Sequence, residues 1–344
     1  MNKRVGAALL ALWMLLGAAP ALGAAQRLEQ THQAGKVEVI FDAVVAPPLV
    51  ENAQPLRVRY KQWTDQEIAR FWLEEEAPPK GPDVDYTGPD GKSLLGLGGE
   101  ASIYVSHWID IEYTLAMCNL SANADHTQGQ LEHFSPDDAW AQVEALCRDV
   151  GLEPMLVDYT AMDTARLQAE DQRRQEEQRA LFEPYGLWTP REETPQPPAE
   201  GYFFEVMFAY DGLICNQVPT SINSFSDYSL GSSGLFYVVP EHGVIWFETG
   251  VNATLYEILE RTSPEDYKES MPMEQALDSL YGYYERLILN QPVTIVYIGY
   301  EYLAVPAKTY GEFVLRPVWS FYPDMSGDEY LEPVYVNAIN GRVL

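Results

Sequence analysis

Residues 273–288, MEQALDSLYGYYERLI, are followed by VTIVYIGYEYLAV (293–305), EFVLRPVWSF (312–321) and VYVNAINGRVL (334–344). In the first stretch Met273, Ala276, Leu277, Leu280, Tyr281, Tyr284, Leu287 and Ile288 step by threes and ones, the spacing of one apolar helix face. The next stretches are rich in β-branched and aromatic residues, which favours strands. In the last, Asn340-Gly341 is the strongest short hairpin signal, because both turn positions need positive φ. One helix with several antiparallel strands buries its apolar face by lying on the sheet.

Working upstream, the same order recurs. Ser135-Pro136-Asp137-Asp138 opens a helix, with serine as cap, proline at the first helical position and two acids at the positive end of the dipole. Trp140, Val143, Leu146, Cys147 and Val150 recur at helical spacing and Gly151 ends the run. Strands are expected near 155–159, 202–210 (with Asp211-Gly212 as a turn), 235–239 and 244–248. The fold expected is α+β, with two helix-on-antiparallel-sheet units over 135–262 and 263–344 and an N-terminal extension over 26–134. A charged helix (163–182) and a proline-rich connection (189–200) interrupt the first unit. Glu170/Arg174 and Arg173/Glu177 suit ion pairing along that helix, which reads as a solvated surface element.

Within 26–134, KVEVIFDAVV (36–45) reads as a strand. Thr64-Asp-Gln-Glu67 is a capping box before Ile68, Phe71 and Trp72. Residues 76–99 hold four prolines and six glycines and read as a loop, and 101–117 favours strand. Ahead of these, Lys3 and Arg4 precede an apolar run over Val5–Ala19 and the small residues PALGAA (20–25). This is the pattern of a secretory signal peptide, residues 1–25, with cleavage after Ala24 or Ala25. The apolar run is shorter than the ~20 residues of a spanning helix. No later stretch is long and apolar enough to span, so the expectation is an exported protein, extracellular or envelope-associated.

The chain of 344 residues carries 22 Lys and Arg against 51 Asp and Glu, a net charge of −29. Phosphate backbones and anionic lipid repel such a surface, so nucleic acid is not an expected partner. The three cysteines, Cys118, Cys147 and Cys215, form no CxxC pair and their odd number excludes complete internal pairing. Cys147 lies on the apolar helix face as a buried thiol; a Cys118–Cys215 bridge stays open.

Arg316-Pro317-Val318-Trp319, and then Tyr335-Val336-Asn337-Ala338-Ile339-Asn340-Gly341-Arg342-Val343-Leu344, resemble the closing strands of PepSY-type modules and of YycH/YycI extracytoplasmic regulatory proteins. Those modules finish with a tryptophan-bearing strand and an aspartate-alanine-x-threonine-glycine hairpin; Asn337 and Asn340 replace the aspartate and threonine here. The whole chain is similar to secreted proteins and lipoproteins of gut Firmicutes, through its leader, the Tyr202-Phe203-Phe204 strand running to Asp211-Gly212, and the paired layout. Unlike many of them it has no cysteine at the cleavage point. The resemblance implies a non-enzymatic envelope protein with a regulatory or sensory role.

Motifs for chemistry fall short. Asp83, Asp85, Thr87, Gly88 and Asp90 imitate a calcium loop, but Leu94 stands where its bidentate glutamate belongs. Asp324, Ser326, Gly327, Asp328 and Glu329 read as an acidic hairpin loop. The histidines at 32, 107, 126, 133 and 242 make no zinc spacing. Gly231-Ser232-Ser233-Gly234 misses the nucleophile-elbow spacing, and no phosphate-binding glycine pattern occurs. No catalytic, metal or cofactor residue is therefore assigned, and an enzyme is not expected. Tyr281, Tyr284, Tyr297, Tyr300 and Tyr302 gather at one helix–strand junction. They are candidates for a ligand or partner surface, with an unknown envelope protein or a cell-wall glycan or peptide as occupant; the plainer reading is that they pack the helix on its sheet.

Overall fold

A computed structural model describes residues 26–46, 48–72, 85–87, 93–97, 103–107, 129–190, 199–215, 232–249, 254–289, 291–324 and 331–344. The architecture is α+β: among the described residues, four α-helices accompany two sheets. The chain folds as two compact units. The first holds the described residues within 62–206 and 234–250, the second those within 15–61, 207–233 and 251–344.

The first unit carries β4 (Asp85–Thr87), β5 (Ser93–Leu97), β6 (Ile103–His107), β7 (Glu153–Met162), β8 (Gly201–Tyr210), β10 (Ser233–Val239) and β11 (Gly243–Thr249), in sheet order β4-β5-β6-β11-β10-β8-β7. The unit boundary falls inside β8. Helix α1 (Asp65–Arg70) begins with the predicted capping box: the Glu67 N–H donates to Thr64 Oγ1, and the Thr64 N–H donates to Glu67 Oε2. Helix α2 (Pro136–Asp149) begins at the predicted Ser135 cap and buries Ala139, Val143 and Cys147, with Trp140 packed on Phe204. Helix α3 (Thr164–Phe182) is capped by Asp163. It is more than a solvated surface element, because Leu167, Asp171 and Arg174 are buried and Leu167 packs with Phe203, Tyr237 and Trp246. Residues 202 and 204 alternate with 203 along β8, so α2 and α3 serve opposite faces. The stretch 76–99, expected as a loop, contains β4 and β5. Pairing to β6 supplies the backbone partners that its glycine-rich sequence does not advertise.

The second unit is built on β1 (Gln26–Ala34), β2 (Val37–Val45), β3 (Leu56–Tyr60), β12 (Tyr256–Arg261), β13 (Val293–Pro306), β14 (Glu312–Pro323) and β15 (Val334–Asn337). The sheet order is β1-β2-β13-β14-β3-β12, with β15 beside β14; the two-residue β9 (Leu213–Ile214) pairs with β8. The sequence predicts an antiparallel sheet, whereas this one is mixed, because β13 runs parallel to β2. The division predicted from sequence also differs from the spatial one. Of the strands assigned to an N-terminal extension, β2 pairs with β13, β3 pairs with β14 and β12, and β1 joins the same sheet through β2. That pairing joins residues far apart in the chain, which local periodicity does not register.

Helix α4 (Met273–Tyr284) buries Ala276, Leu277, Leu280 and Tyr284 against Ile295, Ile298, Tyr300, Phe321 and Val336. The Asn340-Gly341 turn is present, but only Gly341, at φ 72°, takes the left-handed position; Asn340 does not. Asn337 accepts at Oδ1 from the N–H groups of Ile339 and Asn340, so the asparagine at the aspartate position ties the turn. Met273–Leu344 thus runs helix, strand, strand, strand and turn in the predicted order.

Candidate functional site

The five tyrosines do not share one surface. Tyr300 and Tyr302 point to the α4 side of β13, into the apolar core of that face, and Tyr284 enters the same core from α4. Tyr297 lies out of phase with them and meets Tyr322 on the other face, with ring centroids 5.6 Å apart. Those four are buried. Tyr281 is partly exposed, stacked on His32 at 3.7 Å with its hydroxyl accepting from Gln30 Nε2. Burial pushes the phenols of Tyr284, Tyr297, Tyr300 and Tyr302 upward, so they act as hydrogen-bonding groups rather than acids.

An open groove of about 380 Å³ lies over one of these tyrosines in the second unit. Its floor is Tyr300 and Trp319, whose rings are tilted by 48° with centroids 5.2 Å apart. One rim is the loop with Val50, Glu51 and Asn52; the other is Ser270–Met273, which leads into α4. The rims are tied together and to the floor. Ser270 N–H donates to Asn52 Oδ1 at 3.0 Å, and the Tyr300 hydroxyl and Ser270 Oγ lie 2.7 Å apart. Trp319 Nε1–H donates to the Met271 carbonyl at 2.9 Å, and Met271 N–H to the Ala338 carbonyl at 2.7 Å. The buried Gln54 amide exchanges two bonds with the Lys268 backbone, while the Tyr302 hydroxyl donates to the Gln54 carbonyl at 2.8 Å. Asn52 holds a φ of 57°, a left-handed conformation that asparagine tolerates better than most residues. The sequence points to Tyr300 and Tyr302 but not to Trp319, Asn52 or Gln54 as parts of one site. The rim loop lies more than 200 residues before its partner segment.

Enclosed acids also lie elsewhere. Glu301, opposite in phase to Tyr300, accepts from the Tyr322 hydroxyl at 2.6 Å. In the first unit Glu205 encloses its Oε1; burial, then the charge of buried Asp158, pushes its carboxyl up to about 8. The Cys147 and Cys215 thiols are both buried and pushed upward by that burial; Cys118 lies outside the described residues.

Among the described residues, no three His, Cys, Asp or Glu side chains gather as metal ligands. Most of the calcium-like loop at 83–90 and Ser326–Glu329 of the acidic turn lie outside them. His107 is buried, with Nε2 2.6 Å from the Phe71 carbonyl, whereas His133 is exposed. No helix among the described residues is long and apolar enough to cross a membrane.

No protein-family model and no curated protein sequence matches the chain. In three dimensions it is similar to an uncharacterised protein from the gut Firmicute Eubacterium rectale ATCC 33656, with a TM-score of 0.55 and 10% identity over 98% of each chain, a likeness of fold alone.

Proposed function

We propose that the protein is exported by its N-terminal leader and acts in the cell envelope through protein–protein contacts, in a regulatory or sensory role and without catalysis. The observation that carries this reading is the groove over Tyr300 and Trp319. It is open and mainly apolar, and the polar groups on its floor are committed to holding the rims. That suits a docked side chain better than proton transfer. The finer reading is two helix-plus-sheet units of the PepSY and YycI kind. Its support is the order of α4, β13, β14 and β15, with Trp319 on the second of these strands and the Asn337–Gly341 turn after the third. Nucleic acid is not part of the proposal, given the net charge of −29, and no membrane span is proposed after the leader.

The test is capture from envelope extract by the chain and by its Glu51→Trp variant, which fills the rim at an exposed position. A single saturable protein retained by the wild type and lost by the variant supports docking in the groove. Recovery of glycan or free peptide with no protein moves the reading to its alternative, a cell-wall binding module.

A further inference from the structure

We infer that the groove takes a lysine or arginine side chain from a basic protein partner, an inference that rests on the docking role proposed above. The groove's lining contains one charged side chain, the exposed Glu51, and no cation. Below it lie Met271 and Met273 on one wall and the rings of Tyr300 and Trp319 on the floor. A lysine or arginine matches this sequence of chemistry from base to mouth. Its aliphatic stem buries against methionine and aromatic carbon while its head stays near water. Indole and phenol faces attract a cation, tryptophan most strongly, and the Glu51 carboxylate stands at the mouth for the head group.

The neutral polar groups argue against a sugar as occupant. The Trp319 N–H is committed to the Met271 carbonyl, Asn52 Oδ1 already accepts from Ser270 N–H, and Tyr300 and Ser270 share one hydrogen bond. A sugar needs several donors and acceptors in fixed positions, and these bonds take up the Trp319 N–H and part of the capacity of Asn52, Tyr300 and Ser270. The net charge of the chain, −29, favours association with basic partners in general.

The experiment titrates a fluorescein-labelled hexapeptide bearing two adjacent lysines into the full chain and follows anisotropy. A counterpart with norleucine in place of lysine keeps the stem and removes the charge. Wild-type protein is expected to prefer the lysine peptide. Glu51→Gln is expected to weaken that peptide about fivefold, the scale of one exposed ion pair, and to leave the norleucine peptide unchanged. Glu38→Gln, an exposed acid on β2 outside the groove, is expected to change neither. Equal losses from Glu51→Gln and Glu38→Gln indicate diffuse attraction to an acidic surface and overturn the inference, as does equal binding of the two peptides. The capture experiment separates docking from the choice of occupant. A protein partner lost with Glu51→Trp but kept undiminished with Glu51→Gln leaves docking in place and removes the cationic occupant.

Discussion

The Tyr300 hydroxyl and Ser270 Oγ, 2.7 Å apart, join the strand that floors the groove to the segment that forms its rim. Tyr300→Phe removes this bond while keeping the ring. The expected cost is about 1 kcal/mol in urea unfolding, the net worth of one partly buried hydrogen bond. Amide exchange over 268–271 is expected to quicken, since that segment loses one of its anchors. Unchanged exchange there would show that the hydroxyl does not hold the rim.

On the opposite face of β13, Tyr322 donates to the buried Glu301 carboxyl at 2.6 Å. Tyr322→Phe takes away that donor and leaves an enclosed carboxyl with one bond fewer. A loss of about 2 kcal/mol is expected, more than for Tyr300→Phe, because the Glu301 carboxyl is fully enclosed and water cannot replace the lost donor. The measurement is the denaturation midpoint of both variants side by side; the reverse ranking contradicts the account.

These two bonds mark where the sequence was legible and where it was not. Local chemistry showed itself: the Thr64–Glu67 box, the Ser135 cap, the α4 face from Met273 to Tyr284 and the Asn340-Gly341 turn all stand where the spacing puts them. Strand β1 did not. Its sequence QRLEQTHQA is polar because it is an edge strand, exposed along most of its length. The parallel β2–β13 pair escaped because pairing between residues 39 and 293 leaves no trace in local periodicity. The tyrosine cluster was seen as a cluster, but residue phase separates Tyr297 from Tyr300 and Tyr302. That separation follows from plain alternation, since Tyr297 stands an odd number of residues before both; what the sequence hides is the register shift between Ile295 and Tyr297, which keeps Ile295 on the same face as Ile298 and Tyr300.

Glu205 makes stability depend on pH. Its carboxyl titrates near 8 in the native state, above its ordinary 4.5, because burial and Asp158 disfavour the charged form. Between those values the native state keeps a proton that the unfolded chain has lost. Stability from this group is therefore full below the lower value and declines as pH rises toward the higher one, at up to about 1.4 kcal/mol per pH unit. Glu205→Gln removes the dependence. The difference in unfolding free energy between variant and wild type, followed from pH 5 to 8.5, is expected to shift steadily in the variant's favour. A constant difference contradicts the assignment.

Gly341 joins the C-terminal turn to the groove rim. At φ 72°, an added Cβ meets Met271 Cε at 3.1 Å and Ser279 Oγ at 3.3 Å. Gly341→Ala is expected to cost about 1–2 kcal/mol, from left-handed strain together with displacement of Met271. Thermal unfolding of the variant measures it. A neutral result would mean that the turn relaxes without the left-handed glycine.

The central claim, that this protein docks a partner protein in the groove over Tyr300 and Trp319, is tested most directly by capture from envelope extract with wild type and Glu51→Trp in parallel. One saturable protein bound by the wild type and released by the filled rim is the predicted result. The same protein bound equally by both, or no protein bound by either, contradicts it.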